Sequence, residues 1–458
     1  MLAGRHAGIH VYDAISERKS MRKLELHWQI LIAIGFAAVA GYAVNVARAS
    51  GIEDPSFLGI SFISFFDYIG SLFLNALKMI IVPLIFSSII VGVAGIGSGG
   101  NLGTLGGRSL LFYTVTTLTA TVLGLVLINL IGPGYVNGEP AGEMLALNAS
   151  GAEIAAVAEG RGPGDIARVF HNMVPPNIVQ AAANGQMLGI IFFALLFGYF
   201  MTRLPDEYAG TLYGFWNSVF HVMMKMTEWI MKFAPIGVFG LVAVVVAEAG
   251  FQAVRPLAVF AITVVIALAL HITVVLPLFL RFVGKVNPYA MFPAMAPAML
   301  TAFSTASSSA TLPITMERVE ENAGVSNKIS SFVLPLGATV NMNGTALYEC
   351  AAAMFLAQAY GLDLTFGVQF SIVFIALLTS VGVAGVPSAS LVAIAIILGA
   401  VGLPVEAIGV LLVFDRVLDM ARTAVNVFGD SVCAVIVARL DGEATHLGTE
   451  GMPDTGHA

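Results

Sequence analysis

Charge is what this chain has least of. Across 458 residues only 11% are Asp, Glu, Lys or Arg, against about 25% in soluble domains. Apolar residues make up 58%, where soluble domains hold about 45–50%. That balance excludes an ordinary soluble globule and points to a bilayer. Cysteine is nearly absent: Cys350 and Cys433 both fall in apolar segments, so neither a disulfide framework nor a zinc site is supported. No basic stripe accompanies the formal net charge of −7, and nothing suggests a nucleic-acid partner. Residues 1–26 lack the short apolar stretch and small-residue cleavage site of a secretory signal. They read either as an amphipathic surface helix or as a tail.

Long apolar runs are what is abundant. A helix needs about 20 residues to cross a hydrocarbon core, and runs of that order recur at 27–48, 64–95, 107–132, 178–202, 212–248 and 254–281. The expectation is a multi-pass protein of the cell membrane, with lipid as its surroundings. Arg18, Lys19, Arg22 and Lys23 precede the first run, which puts the N-terminus in the cytoplasm by the positive-inside rule. Loops inside on that path carry Arg108, Arg203, Arg281 and Lys285, while the outside loop 133–175 carries Glu139, Glu143, Glu153, Glu159 and Asp165.

From 290 to 440 the pattern changes, because Ser, Gly, Pro and Asn interrupt the apolar stretches. Irregular backbone at membrane depth survives only inside protein or against water. Two interruptions, Ser304 to Pro313 and Gly382 to Ser390, are expected to be the tips of re-entrant hairpins. Each precedes a span with polar groups: Asn341-Met342-Asn343-Gly344-Thr345 after the first, Asp415 through Asp430 after the second. Asn341 follows Pro313, and Asp415 follows Pro387, by the same 28 positions. Paired interrupted segments of this kind point to an internal repeat and a midplane binding site.

The segment 415–430 carries the most chemistry. At about 100° per residue, Asp415, Asp419, Arg422, Asn426 and Asp430 fall within about 80° of arc, so one face of the helix is polar. Each charge at the bilayer centre costs at least about 2.5–3.5 kcal/mol on insertion scales, which makes intramembrane charges functional by default. Arg422 offers a planar fork suited to a carboxylate; Asp419, one turn earlier, suits an ammonium; Thr423 and Asn426 complete the hydrogen bonds. Together they describe an acidic amino acid. Asp430, with carbonyls freed where a helix unwinds, suits a hard cation, and the motif Asn341 to Thr345, with Gly344 and its side-chain amides, is where such unwinding is easy. An alternative reads Ser307, Ser308 and Ser309 as the nucleophile of a membrane-embedded serine hydrolase. The closest base candidates in sequence, His271 and Lys328, are remote, so a transporter is expected rather than an enzyme.

Four ordered motifs, Ser307 to Pro313, Asn341 to Thr345, Gly385-Val386-Pro387 and Asp419-Met420-Ala421-Arg422-Thr423 with Asn426 and Asp430, closely resemble those of the dicarboxylate/amino acid:cation symporters, the glutamate transporter family. The likeness runs from about residue 25 to 440. It implies an all-α polytopic membrane protein with eight transmembrane helices plus two re-entrant helical hairpins, arranged as inverted repeats in an elevator-type transporter that forms a homotrimer. Residues 1–26 would be a cytoplasmic N-terminal segment; 27–95 and 178–248 would be trimeric scaffold; 107–132 and 254–440 would form the moving transport domain; 441–458 would be a cytoplasmic tail.

Matched motif by motif, Arg422 would bind the substrate's side-chain carboxylate and Asp419 its amino group. Thr345, Thr423, Asn426 and the backbone near Ser308, Val386 and Ser390 would hold the rest. One sodium site would use Asp430 with carbonyls of Gly337, Asn341 and Asn426. A second would use carbonyls of Thr339, Ser380, Val381 and Val383, and a third Tyr113, Thr116, Thr117, Asn341 and Asn343. The chain departs from the family at Asn343, where Asp is usual. It departs again at Ala306, where some archaeal relatives carry an arginine that Arg416 replaces. The function implied is sodium-coupled uptake of aspartate or glutamate. Proton coupling, or a C4-dicarboxylate substrate, is the alternative within the family, and Asp419 argues for an ammonium-bearing ligand.

Overall fold

The structure, a computed structural model, describes residues 26–52, 55–57, 59–97, 102–145, 147, 174–183, 187–380 and 390–448. Nearly all of this backbone is helical, the form that satisfies every N–H and C=O within one segment where no water is available. The only strands among the described residues are two tight antiparallel ladders, β1 (Ser56–Phe57) with β2 (Ile60–Ser61) and β3 (Tyr135–Val136) with β4 (Glu139–Pro140). Asn137 and Gly138 turn the second at φ 55° and 89°, the left-handed pair that a two-residue hairpin requires.

Three long helices come first: α1 (Leu26–Ala49), α2 (Phe62–Gly97) and α3 (Leu102–Ile131). The expected run 178–202 is assembled from α4 (Ile178–Ala183) and α5 (Met187–Met201), and the run 212–248 from α6 (Asp206–Met231) and α7 (Ala234–Ala249). Contrary to the single span expected there, α6 and α7 are bent by 56° against each other. Pro235 in the first turn of α7 has no N–H to give to the preceding turn, so the helix restarts there. α8 (Val254–Leu270) runs through a π turn (His271–Val275), the short α9 (Leu276–Phe279) and a second π turn to Gly284. Five helices among the described residues are long and apolar enough to cross a membrane, and α6 with α7 makes a sixth if taken as one span.

Beyond residue 290 follow α10 (Met291–Thr305), α11 (Ser308–Glu321), α12 (Asn327–Val340), α13 (Asn343–Ala359), α14 (Phe366–Ser380), α15 (Ser390–Val401) and α16 (Ile408–Leu440). The first expected hairpin tip is much tighter than its serine-rich sequence suggests. It consists of Ala306 at φ 51° and Ser307, whose hydroxyl accepts from Ala310 N at 3.2 Å. This N-cap starts α11 at once, so Ser308 through Pro313 are helical rather than loop. The second tip, Gly382 to Ala389, lies outside the described residues; Ser390 opens the described part of α15.

α16 is the hub, packed against α3, α7, α8, α10, α11, α12, α13 and α15. A second set forms around α2 and α7, which gather α1, α5 and α6. The segment after α16 is tied down: Glu443 accepts from Ser326 N at 3.0 Å and from the Ser326 hydroxyl, His446 N donates to Ala323 O at 3.0 Å, and Leu447 is buried.

Candidate functional site

The expected unwinding occurs within the motif Asn341 to Thr345, at its first two residues. Asn341 (φ −110°, ψ 70°) and Met342 (φ −99°, ψ 63°) leave helical geometry between α12 and α13. Gly344 is helical and serves a different end: a Cβ there would lie 2.8 Å from the Arg422 carbonyl oxygen, so only glycine lets α13 approach α16 this closely. Asn426 locks the contact. Its Oδ1 accepts from Gly344 N at 2.8 Å and Thr345 N at 3.3 Å, and its Nδ2 donates to Thr345 Oγ1 at 2.9 Å. The broken helix is therefore stitched to the unbroken one at the level of the polar face.

Arg422 is fully buried on that face. Nη1 and Nη2 each donate to Asp415 Oδ1 at 3.2 Å, and Nη2 also to Asp419 Oδ1 at 2.8 Å. The Tyr348 ring covers the guanidinium with its centroid 3.8 Å from Cζ, a cation–π contact strengthened by desolvation. Nε has no partner. Arg416 Nη1 stands 3.7 Å from Asp419 Oδ2, and its Nε and Nη1 make no hydrogen bond. Thr423 is turned to its own helix, donating to Asp419 O at 2.8 Å. Ser308 is buried in the first turn of α11 and Ser390 is buried at the edge of the described part of α15, both helices packed on α16, and the Ser390 hydroxyl is unpartnered. Val386 lies outside the described residues.

Further along α16, Asp430 Oδ1 accepts from Asn341 Nδ2 at 2.9 Å, and Thr116 and Thr117 each donate to Asn341 Oδ1 at 3.2 Å. Gly337 makes room, since a Cβ there would sit 2.6 Å from Asp430 Oδ1. One carboxylate, one amide and two hydroxyls converge, the hard-oxygen set that suits a cation such as sodium. With the Asn341 amide turned this way, its NH₂ meets the Asp430 charge that a cation would otherwise meet. Tyr113 and Asn343, expected beside these groups, have other partners. The Tyr113 hydroxyl donates to Val333 O at 2.6 Å, and Asn343 Oδ1 accepts from Gly344 N at 2.9 Å while its Nδ2 has no partner. Of the second expected cation set, Thr339 and Ser380 bond to carbonyls of their own helices, and Val381 and Val383 lie outside the described residues.

Two residues not singled out from the sequence belong to this region. Tyr348 is the lid on Arg422. Glu349, fully buried on α13, shares a 3.0 Å hydrogen bond with Thr379 Oγ1 and leaves Oε1 unpartnered. An acid inside an apolar run was the available signal for Glu349; nothing in sequence separates Tyr348 from an ordinary core aromatic. The serine run shows no nucleophile geometry: Ser307 is a helix cap.

The family model described as the sodium:dicarboxylate symporter family matches residues 26–440. The chain is 35% identical to the proton/glutamate-aspartate symporter of Escherichia coli (strain K12), with 91% of this chain and 93% of that one covered. It is 35% identical to the proton/sodium-glutamate symport protein of Geobacillus stearothermophilus, over 92% and 96% of the two chains. Excitatory amino acid transporter 3 of Homo sapiens is also 35% identical, over 92% of this chain and 86% of its own length.

Proposed function

Because the chain belongs to the sodium:dicarboxylate symporter family, whose members are transporters and not enzymes, we propose that it imports aspartate or glutamate in symport with sodium. The observation that carries this reading is the buried Arg422 beside Asp419 on α16. A fixed guanidinium selects the side-chain carboxylate, and an adjacent carboxylate selects the ammonium that a C4-dicarboxylate lacks. Thr345, Thr423, Asn426 and Ser390 supply further hydrogen bonds, and the helix start at Ser308 offers N–H groups and a positive dipole end to the α-carboxylate. Asp430, Asn341, Thr116 and Thr117 form the principal cation site, with Gly337 giving Asp430 its space.

In operation, substrate takes Asp419 from Arg416 and shares the Arg422 fork, while sodium replaces the Asn341 amide hydrogens against Asp430. The unit of α3 and α8 to α16 then moves as one body against α1, α2 and α4 to α7, the scaffold of a homotrimer in the cell membrane, with both termini cytoplasmic. The tighter packing within each set than between them supports this division. Proton coupling is the second reading, favoured by Glu349, whose buried carboxyl with one hydrogen bond is suited to carrying a proton. Uptake of radiolabelled aspartate and glutamate into proteoliposomes, with sodium and proton gradients imposed separately, tests both. Accumulation driven by sodium alone supports the first, and accumulation that ignores sodium and follows pH overturns it in favour of the second.

A further inference from the structure

We propose that Asp415 is the residue that makes substrate binding require a cation. It holds the terminal edge of Arg422, and its charge is the one that leaves the loaded site in deficit. The inference rests on the reading of the ligand as an acidic amino acid and goes beyond it, to the origin of coupling.

The observation is a charge count within one buried cluster. Asp415, Arg416, Asp419 and Arg422 are exposed by only 2%, 5%, 6% and 0%, and they contact one another directly. Two carboxylates and two guanidiniums sum to zero, so the empty cluster is balanced without any ion. Glu349 bonds to Thr379 Oγ1 rather than to any of the four, so it stands outside the count. Asp430 lies 11 positions beyond Asp419, about 16 Å along the helix, and faces Asn341 instead.

An acidic amino acid brings two carboxylates and one ammonium, a net charge of −1. Entering a balanced cluster, it creates one buried negative charge that nothing in the cluster offsets, and an unpaired buried charge is not tolerated. A cation must therefore arrive with it. Asp415 is the member responsible, because it does not need to yield to the ligand. Asp419 turns to the ammonium, and the ligand carboxylate takes the unpartnered Nε edge of Arg422. Asp415 meanwhile keeps the Nη1–Nη2 edge through two bonds of 3.2 Å. It stays in place, fixes which edge of the fork is offered, and keeps its charge in the loaded state.

The count makes distinct predictions for two substitutions in the full-length protein. In Asp415→Asn the empty cluster is +1 and the loaded one neutral, so one cation fewer is bound per substrate. The slope of log Kd for aspartate against log sodium concentration falls by about one, by linkage, and aspartate binds more tightly than to the unaltered protein at the lowest sodium. Asp415→Glu restores the slope. In Arg416→Gln the empty cluster is −1 and the loaded one −2, so the slope is kept while the substrate-free protein binds one sodium more, read by titrating sodium without aspartate, an outcome that remains readable if Asp415→Asn fails to fold. An unchanged slope in Asp415→Asn, or no added sodium binding by substrate-free Arg416→Gln, overturns the inference while leaving symport intact. An unaltered protein that binds aspartate with no sodium slope overturns the proposed sodium coupling, and this inference with it.

Discussion

Two spans meet across the site and solve opposite problems. α16 runs unbroken for 33 residues despite its buried charges, whereas the span opposite is cut at Asn341–Met342 into α12 and α13. An intact helix has spent its carbonyls on its own hydrogen bonds, so α16 acts only through side chains: a guanidinium and carboxylates aimed from one face. A broken helix frees backbone groups and turns the side chains at the break onto its neighbour, so the cut span brings Asn341 to Asp430 and Thr116. In the proposed symporter, recognition of an organic ion would thus rest on side-chain chemistry, and capture of a bare cation on the break. α16 stays helical because its charges neutralise one another across single turns. The partner breaks where Asn341 and Asn343, poor helix formers that compete for backbone hydrogen bonds, flank one residue.

Removing the central side chain of the intact span is the harshest way to break this division. Arg422→Ala leaves Asp415 buried without the guanidinium it holds and Asp419 with Arg416 at 3.7 Å, and truncating one partner of a buried charge pair costs about 2–5 kcal/mol. Equilibrium binding of aspartate should weaken by about 30-fold to a few thousandfold, and small neutral amino acids such as serine should become ligands. Near-normal aspartate affinity would remove α16 from recognition. Next in size is Asp430→Asn, which keeps shape and deletes the carboxylate that faces Asn341. The sodium concentration for half-maximal uptake should rise at least about tenfold, because charge count is a main lever on hard-cation affinity. If sodium dependence survives, the cation site lies elsewhere.

The break itself is tested more gently through Gly337. Alanine there places a methyl 2.6 Å from Asp430 Oδ1, so the carboxylate must shift by some tenths of an ångström. A sodium requirement raised several-fold, with aspartate affinity at saturating sodium nearly unchanged, is the expected result. Equal losses in both would mean that the two halves of the site are not separable.

What the sequence made legible follows the same line. Charges at helical spacing in an apolar setting identified the polar face of α16, and Arg422 and Asp419 are paired there. Asn341 and Asp430, placed in one cation set, are hydrogen-bonded across 89 positions. Backbone events were harder to see. The motif Asn341 to Thr345 invites unwinding, and the break falls inside it at Asn341–Met342, but what requires Gly344 is close approach to Arg422, a tertiary fact. Pro313 looked like loop and lies inside α11, past its first turn, where it gives up one backbone hydrogen bond. The 56° bend between α6 and α7 followed from Pro235, a signal hidden inside a continuous apolar run. Tyr348 gave no sequence sign because its role depends on which side chain it covers.

The smallest expected effect concerns Asn343, which begins the helix after the break. Its Oδ1 accepts from Gly344 N and its buried Nδ2 is unpartnered, so one half of the amide is used and the other meets nothing. Aspartate would keep the accepting oxygen and replace the idle NH₂ with a second oxygen and a full negative charge, in a place too dry to screen it. A cation is the natural answer to that charge, and the hydroxyls of Thr116 and Thr117 lie on the same side of the break, at Asn341. Asn343→Asp should therefore lower the sodium concentration for half-maximal uptake by a few-fold, or raise the number of sodium ions moved per substrate, read as the reversal potential of aspartate flux in proteoliposomes. Unlike Arg422→Ala, it should leave the choice between aspartate and serine untouched. A variant that instead lost aspartate discrimination would show that the cut span helps to choose the organic ion, and the division between the two spans would fall.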